Sequence, residues 1–174
     1  MALSLDRLTE LFKGVDKDLV VNWHAIAAAA AEIVRLPSNG RRLDDVFLAW
    51  YKAPDGSPVV SWNYDRQQYP NAQWRYPKKG DSRITVGEAA RSGFCHPGMK
   101  EDRVKEWEEW AKAHGSKEVE LLLPAYDVKS GYLLLDGAHR SIAILHTKSD
   151  YAVELAVIHG PIDEYVLKAL AAFS

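Results

Sequence analysis

Residues 131–145 confine the fold more tightly than any other stretch. Gly131-Tyr132-Leu133-Leu134-Leu135 is an apolar run of strand character, and Ser141-Ile142-Ala143-Ile144-Leu145 is an apolar run of helical character. Between them stands Asp136-Gly137-Ala138-His139-Arg140, so a polar cluster falls where a buried strand passes into a buried helix. A helix N-terminus offers unpaired backbone N–H groups and the positive end of the helix dipole. Gly137 permits close approach, Ser141 sits where the helix opens, Arg140 adds a fork for phosphate oxygens, and His139 can donate or act as an acid near neutral pH. Asp, His and Arg in a row at the end of a buried strand are costly to place without partners, which favours ligand contact over a surface turn.

Upstream, Leu5, Leu8 and Phe12 recur at helical spacing, and Asn22 is an N-cap for a second helix presenting Ile26, Ala30 and Ile33. Ser38-Asn39-Gly40 breaks the chain. Val46 to Lys52, Pro54-Asp55-Gly56 and Val59 to Tyr64 read as strand, turn and strand, although Leu43, Phe47 and Tyr51 also fit a helix face. Residues 67–79 read as a long ordered loop. The second half begins with a short strand at Ile84 to Val86, followed by a helix from Glu101 to His114 with Val104, Trp107 and Ala111 inward and Gly115 as its stop. A strand from Glu118 to Leu123, Pro124, a turn at Lys129-Ser130-Gly131, a strand from Tyr132 to Leu135 and a helix from Ser141 to His146 come next. A strand from Ala152 to Ile158 and an amphipathic helix from Ile162 to Phe173 close the chain.

These elements predict an α+β protein: a small mixed sheet with flanking helices, in which residues 1–80 form a helical and hairpin extension and residues 81–174 the main domain, the two making one compact unit. With 174 residues, one main core is expected. The single cysteine, Cys95, excludes an internal disulfide and a multi-cysteine zinc site, and points to the cytoplasm. No signal peptide is expected from Met1-Ala2-Leu3-Ser4-Leu5-Asp6, and the longest apolar run, Ala25 to Ala31, is too short to span a membrane. A formal net charge of −2 means that any attraction to phosphate backbones must be local.

The cluster at 136–140 resembles that of the ParB/sulfiredoxin superfamily, whose members place an Asp-Gly-His-His-Arg-like or Gly-Gly-Cys-His-Arg-like sequence between a strand and a helix to bind nucleotide phosphates. The order of elements from about residue 83 to 160 is similar as well. Sulfiredoxins need a cysteine before the His-Arg pair, where this chain has Ala138. The chromosome-partitioning members carry a basic Gly-Glu-Arg-Arg-like version and a following helix-turn-helix, for which no room is expected after Ser174. The nearest variant is that of the free serine kinases, with Asp-Gly-His-Thr-Arg or Asp-Gly-Asn-His-Arg.

That resemblance implies catalytic roles for Asp136, His139 and Arg140 on the phosphate or magnesium side, cofactor contact by Gly137, Ala138 and Ser141, and ATP or another nucleotide with magnesium as the cofactor. It also implies an upstream glutamate that activates the acceptor hydroxyl. Glu88 and Glu101 both qualify; Glu88 is preferred because Glu101, beside Asp102, is accounted for by the helix dipole. The expected function is a small enzyme binding a nucleotide or phosphorylated small molecule, with ATP-dependent phosphoryl transfer to a hydroxyl as the leading reaction. A non-catalytic nucleic-acid or protein-binding module, or a nuclease-like member of the superfamily, is the alternative.

Other constellations say less. Between Arg66 and Arg103 eight basic residues face four acidic ones, and Trp50, Tyr51, Trp62, Tyr64, Tyr69, Trp74 and Tyr76 lie just before or within that stretch. Such a mixture can stack bases and grip phosphates, but alternate aromatics on a hairpin more often face a core. Nucleic acid is therefore a less favoured partner than a small-molecule substrate. Cys95 and His96 are adjacent, and side chains adjacent in an extended chain point apart, which suits a buried thiol better than a nucleophile and base. The six histidines show no metal-ligand spacing, so no protein metal site is expected, and no P-loop or dinucleotide fingerprint occurs. Trp107 and Trp110 read as helix packing.

Overall fold

The computed structural model describes residue 6 and residues 31–36, 42–60, 66–92, 96–114, 120–128, 130–147 and 152–159. Among these residues the strands are β1 (Ala31–Leu36), β2 (Phe47–Lys52), β3 (Pro58–Val60), β4 (Gln73–Trp74), β5 (Ser82–Thr85), β6 (Glu120–Val128), β7 (Gly131–Leu134) and β8 (Ala152–Ile158). The helices are α1 (Val86–Arg91), α2 (Glu101–His114) and α3 (Ala138–Thr147). The expectations at residues 5–12, 22–30, 38–40, 61–65, 93–95, 115 and 162–173 lie outside the described residues, apart from Asp6, which is helical.

Seven strands form a mixed sheet in the order β1-β8-β6-β7-β2-β3-β4, and β5 pairs with β2 off that line. The hub is β2: Tyr51 pairs with both Val59 and Arg83, and Phe47 with both Thr85 and Leu133. Strands from the first 80 residues thus share one sheet with β6, β7 and β8. The hairpin between β2 and β3 follows from its turn residues. Gly56 adopts φ 84°, the Ala53 N–H bonds to the Ser57 carbonyl at 2.9 Å, and the Asp55 carboxylate accepts from the Ser57 N–H and hydroxyl. This turn decides for a strand over the helix that Leu43, Phe47 and Tyr51 would also allow.

Four expectations need correction. Ile33 is not on a helix but in β1, opposite Ala156 of β8, where pairing with a partner strand outweighs the helical spacing from Ile26 and Ala30. Pro124 does not follow a strand but lies within β6. Its carbonyl accepts the Leu135 N–H at 3.0 Å, so its missing N–H faces β7 just where that ladder has ended at Leu134. Val86 begins helix α1 rather than ending a strand, because the Thr85 hydroxyl caps it by accepting the Glu88 N–H. Helix α3 begins at Ala138, three residues earlier than expected, which puts His139 and Arg140 in its first turn. The loop at 67–79 also contains the short strand β4.

Helices α2 and α3 pack together, and α1 packs on α3. Val104 and Ala111 of α2, Ile142 and Ala143 of α3, Leu121 and Leu123 of β6 and Leu155 of β8 belong to one buried cluster. Fully buried aliphatic side chains such as Leu123, Ile142 and Leu155 each contribute about 1.5–3 kcal/mol over exposure. No helix among the described residues is long and apolar enough to cross a membrane.

Candidate functional site

The strand-to-helix junction is built by Gly137. Its φ is 92°, and a Cβ there would lie 2.6 Å from Leu123 Cδ2 and 3.4 Å from Arg140 Nη2. Only glycine fits a left-handed turn pressed this closely on the buried β6 side chain. The Gly137 carbonyl accepts the Ser141 N–H at 2.9 Å, the first bond of α3. By the geometry of any helix start, the N–H groups ahead of Ser141 have no acceptor within the helix. Ala138, His139 and Arg140 therefore carry donors for an outside acceptor. Ser141 does not join them: its N–H is engaged, its side chain is fully buried, and its Oγ has no hydrogen-bond partner among the described residues.

Arg140 reaches back over this turn. Its Nη2 donates to Asp136 Oδ2 at 3.0 Å, and its Cζ stands 5.4 Å from the centre of the Trp107 ring on α2. The pair is partly open to solvent, with the Asp136 side chain 46% exposed and that of Arg140 25%. Asp136, ahead of α3, and Arg140, in its first turn, are thus brought together across the Gly137 turn.

His139 points to the segment that leads into α2. Its Nε2 lies 3.1 Å from the Lys100 backbone nitrogen and 3.2 Å from the Gly98 carbonyl oxygen. One nitrogen serves only one of these. Neutral, with its proton on Nδ1, the ring accepts the Lys100 N–H; with a proton on Nε2, it donates to Gly98 and releases Lys100. Burial pushes the His139 pKa down from 6.5, the Gly98 contact opposes this, and the Lys100 charge reinforces it.

Trp50 of β2 supports the same segment. His96 stacks on its ring at 5.0 Å between centroids with 13° between planes, and His139 meets it edge-on at 6.3 Å. His96 Nδ1 accepts the Gly98 N–H at 3.0 Å, and burial depresses its pKa to about 4, against a hydrogen bond to the Val59 backbone. A Cβ on Gly98 would come within 2.8 Å of Trp50 Nε1, so the chain can lie flat on the indole only as glycine.

A cavity of about 330 Å³, lined by Tyr69, His96, Met99, Lys100, Glu101 and Asp102, opens beside this segment. Its size suits a small molecule. Glu101 lines it. The Glu88 carboxylate is instead paired with the Lys52 ammonium, and no hydrogen bond or ion pair among the described residues joins it to Asp136, His139 or Arg140. Glu88 also stands in the first turn of α1, in a Thr-x-x-Glu capping arrangement, so the helix-dipole argument that set Glu101 aside applies equally to Glu88.

The basic stretch is dispersed. Arg75 pairs with Asp81, Arg91 with Asp44 and Arg103 with Glu106, while Arg83 lies over Tyr51 and Arg66 over Trp74. Trp50 and Tyr51 are buried. Sequence reasoning missed Trp50, Gly98, Lys100 and the Trp107 contact as parts of the site; the glycine and proline loop around His96 was the available signal.

The first-turn N–H groups of α3 and the Arg140 guanidinium form a donor set whose chemistry fits anionic oxygens such as those of a phosphate. Among the described residues no three His, Cys, Asp or Glu side chains group as metal ligands.

No protein-family model, curated protein or solved structure matches the chain.

Proposed function

We propose that this chain is a small cytoplasmic enzyme with a ParB/sulfiredoxin-like C-terminal half, and that it binds a nucleotide or phosphorylated small molecule at the start of α3. The reaction favoured is ATP-dependent phosphoryl transfer to the hydroxyl of a small molecule. The observation that carries this reading is the Arg140 guanidinium drawn over the Asp136-Gly137 turn at a helix N-terminus, with Asp136 engaging a single one of its nitrogens.

A bound nucleotide would supply the phosphoryl group. Arg140 and the N–H groups of the first turn of α3 neutralise phosphate charge, and Asp136 orients the guanidinium. His139, whose pKa is lowered by burial, donates a ring N–H to a phosphate oxygen. Glu101, as a lining residue of the adjoining cavity, takes the proton of an acceptor hydroxyl lodged there. Glu101 thus replaces Glu88 as the preferred base.

A thermal-shift screen of nucleotides and sugar phosphates tests the reading. A ligand present at about 100 times its Kd adds about 2.7 kcal/mol of stability, enough to raise Tm by about 5 °C or more. A protein whose Tm responds to no phosphate-bearing compound would contradict it. The rival nucleic-acid reading draws on the exposed Tyr76, Lys78 and Lys79, and predicts instead binding of a single-stranded oligonucleotide that weakens steeply with salt.

A further inference from the structure

We propose that Trp107 is a positioning residue for Arg140, fixing the plane of its guanidinium so that the unengaged N–H edge is presented to phosphate; this rests on the phosphate-site reading above. Asp136 holds Nη2 alone, and no hydrogen bond among the described residues engages Nε or Nη1. A single hydrogen bond to a half-exposed carboxylate leaves a guanidinium able to rotate about that contact. The Trp107 ring, 5.4 Å from Cζ, supplies the second restraint. Trp107 is itself fixed: the Trp110 ring meets it edge-on at 5.3 Å and 76°, and it packs partly buried against the core cluster.

The arrangement is more than packing chemistry requires. An aliphatic side chain at position 107 would fill space between α2 and α3 but offers no π face, whereas indole is the strongest aromatic partner for a cation. A guanidinium whose plane is set in advance loses less freedom when it grips a phosphate, so the benefit appears as affinity for anions. The contact spans two helices, so the docking of α2 on α3 and the orientation of Arg140 are linked.

The test is a titration calorimetry cycle with inorganic tripolyphosphate as the probe, on wild type, Trp107→Leu, Trp107→Phe, Arg140→Ala and the Trp107→Leu/Arg140→Ala double variant, each checked for native circular dichroism. Trp107→Leu is expected to weaken binding roughly 3- to 30-fold, the range of a cation–π contact from exposed to desolvated. Trp107→Phe should recover most of that loss, and Trp107→Leu should have no effect once Arg140 is alanine. Should Trp107→Leu fail to fold, a Trp107→Phe affinity between those of wild type and Arg140→Ala supports positioning, and one equal to wild type overturns it. Arg140-dependent binding that ignores Trp107, or a Trp107→Leu loss that persists without Arg140, would overturn the positioning role while leaving the phosphate site standing. Wild-type protein that does not bind the probe would overturn the phosphate site and this proposal together.

Discussion

The backbone N–H of Lys100 lies 3.1 Å from Nε2 of His139, so the segment leading into α2 and the first turn of α3 are joined through one imidazole. Two helix N-termini, each a source of unpaired donors, thereby border one site. Lys100 and Glu101 face the cavity on one side of that joint, and the Asp136–Arg140 pair covers the helix start on the other.

Stability should fall as the solution is acidified through the histidine range. The folded-state pKa of His96 is about 4 against 6.5 when unfolded, so below pH 6.5 the unfolded chain binds the proton first and stability drops until about pH 4. The contribution is on the order of 3 kcal/mol, and the depressed pKa of His139 adds in the same direction. Urea unfolding at pH 7 and pH 4.5 should show the loss in wild type and a clearly shallower loss in His96→Gln. Equal slopes would mean that His96 is not held neutral against Trp50.

Gly137→Ala should destabilise by about 1–3 kcal/mol, because alanine is strained at φ 92° and its Cβ would press on Leu123 at a site with no exposed space. Gly56→Ala is the control: it also has a positive φ, 84°, but nothing lies within 4 Å of its Cβ, so its cost should be the backbone strain alone. Denaturant midpoints of the two variants check the difference.

Much of this site follows from local pattern. The change of period around Asp136-Gly137 marks the passage from β7 to a helix, though not the helix's first residue, and the acidic start of Glu101–His114 marks α2 at its observed ends. Thr85-Val86-Gly87-Glu88 also carried a legible capping signal for α1. What local pattern does not hold are contacts between distant residues. Trp50 and His96 stack because β2 passes beneath the segment before α2, and Trp107 meets Arg140 because two helices dock. Pro124 inside β6 misleads for the same reason, since only the observed register shows that its missing N–H falls past the end of β7.

Glu101→Gln should abolish phosphoryl transfer with little change in Tm, while Glu88→Gln should keep turnover. The Lys52–Glu88 pair is about a third exposed, and its loss should cost no more than about 1 kcal/mol. Turnover with ATP over a panel of small hydroxylated acceptors reads both variants; activity in Glu101→Gln together with inactivity of a folded Glu88→Gln would reverse the assignment.

Phosphate binding at Arg140, proposed for the start of α3, is read out by calorimetric titration of ATP into wild type and Arg140→Ala. Charged hydrogen bonds contribute about 1.5–3 kcal/mol, so the variant should bind at least about tenfold more weakly while keeping a Tm within a few degrees of wild type, since its half-exposed pair with Asp136 contributes little to stability. A folded Arg140→Ala that binds ATP as tightly as wild type would contradict the account.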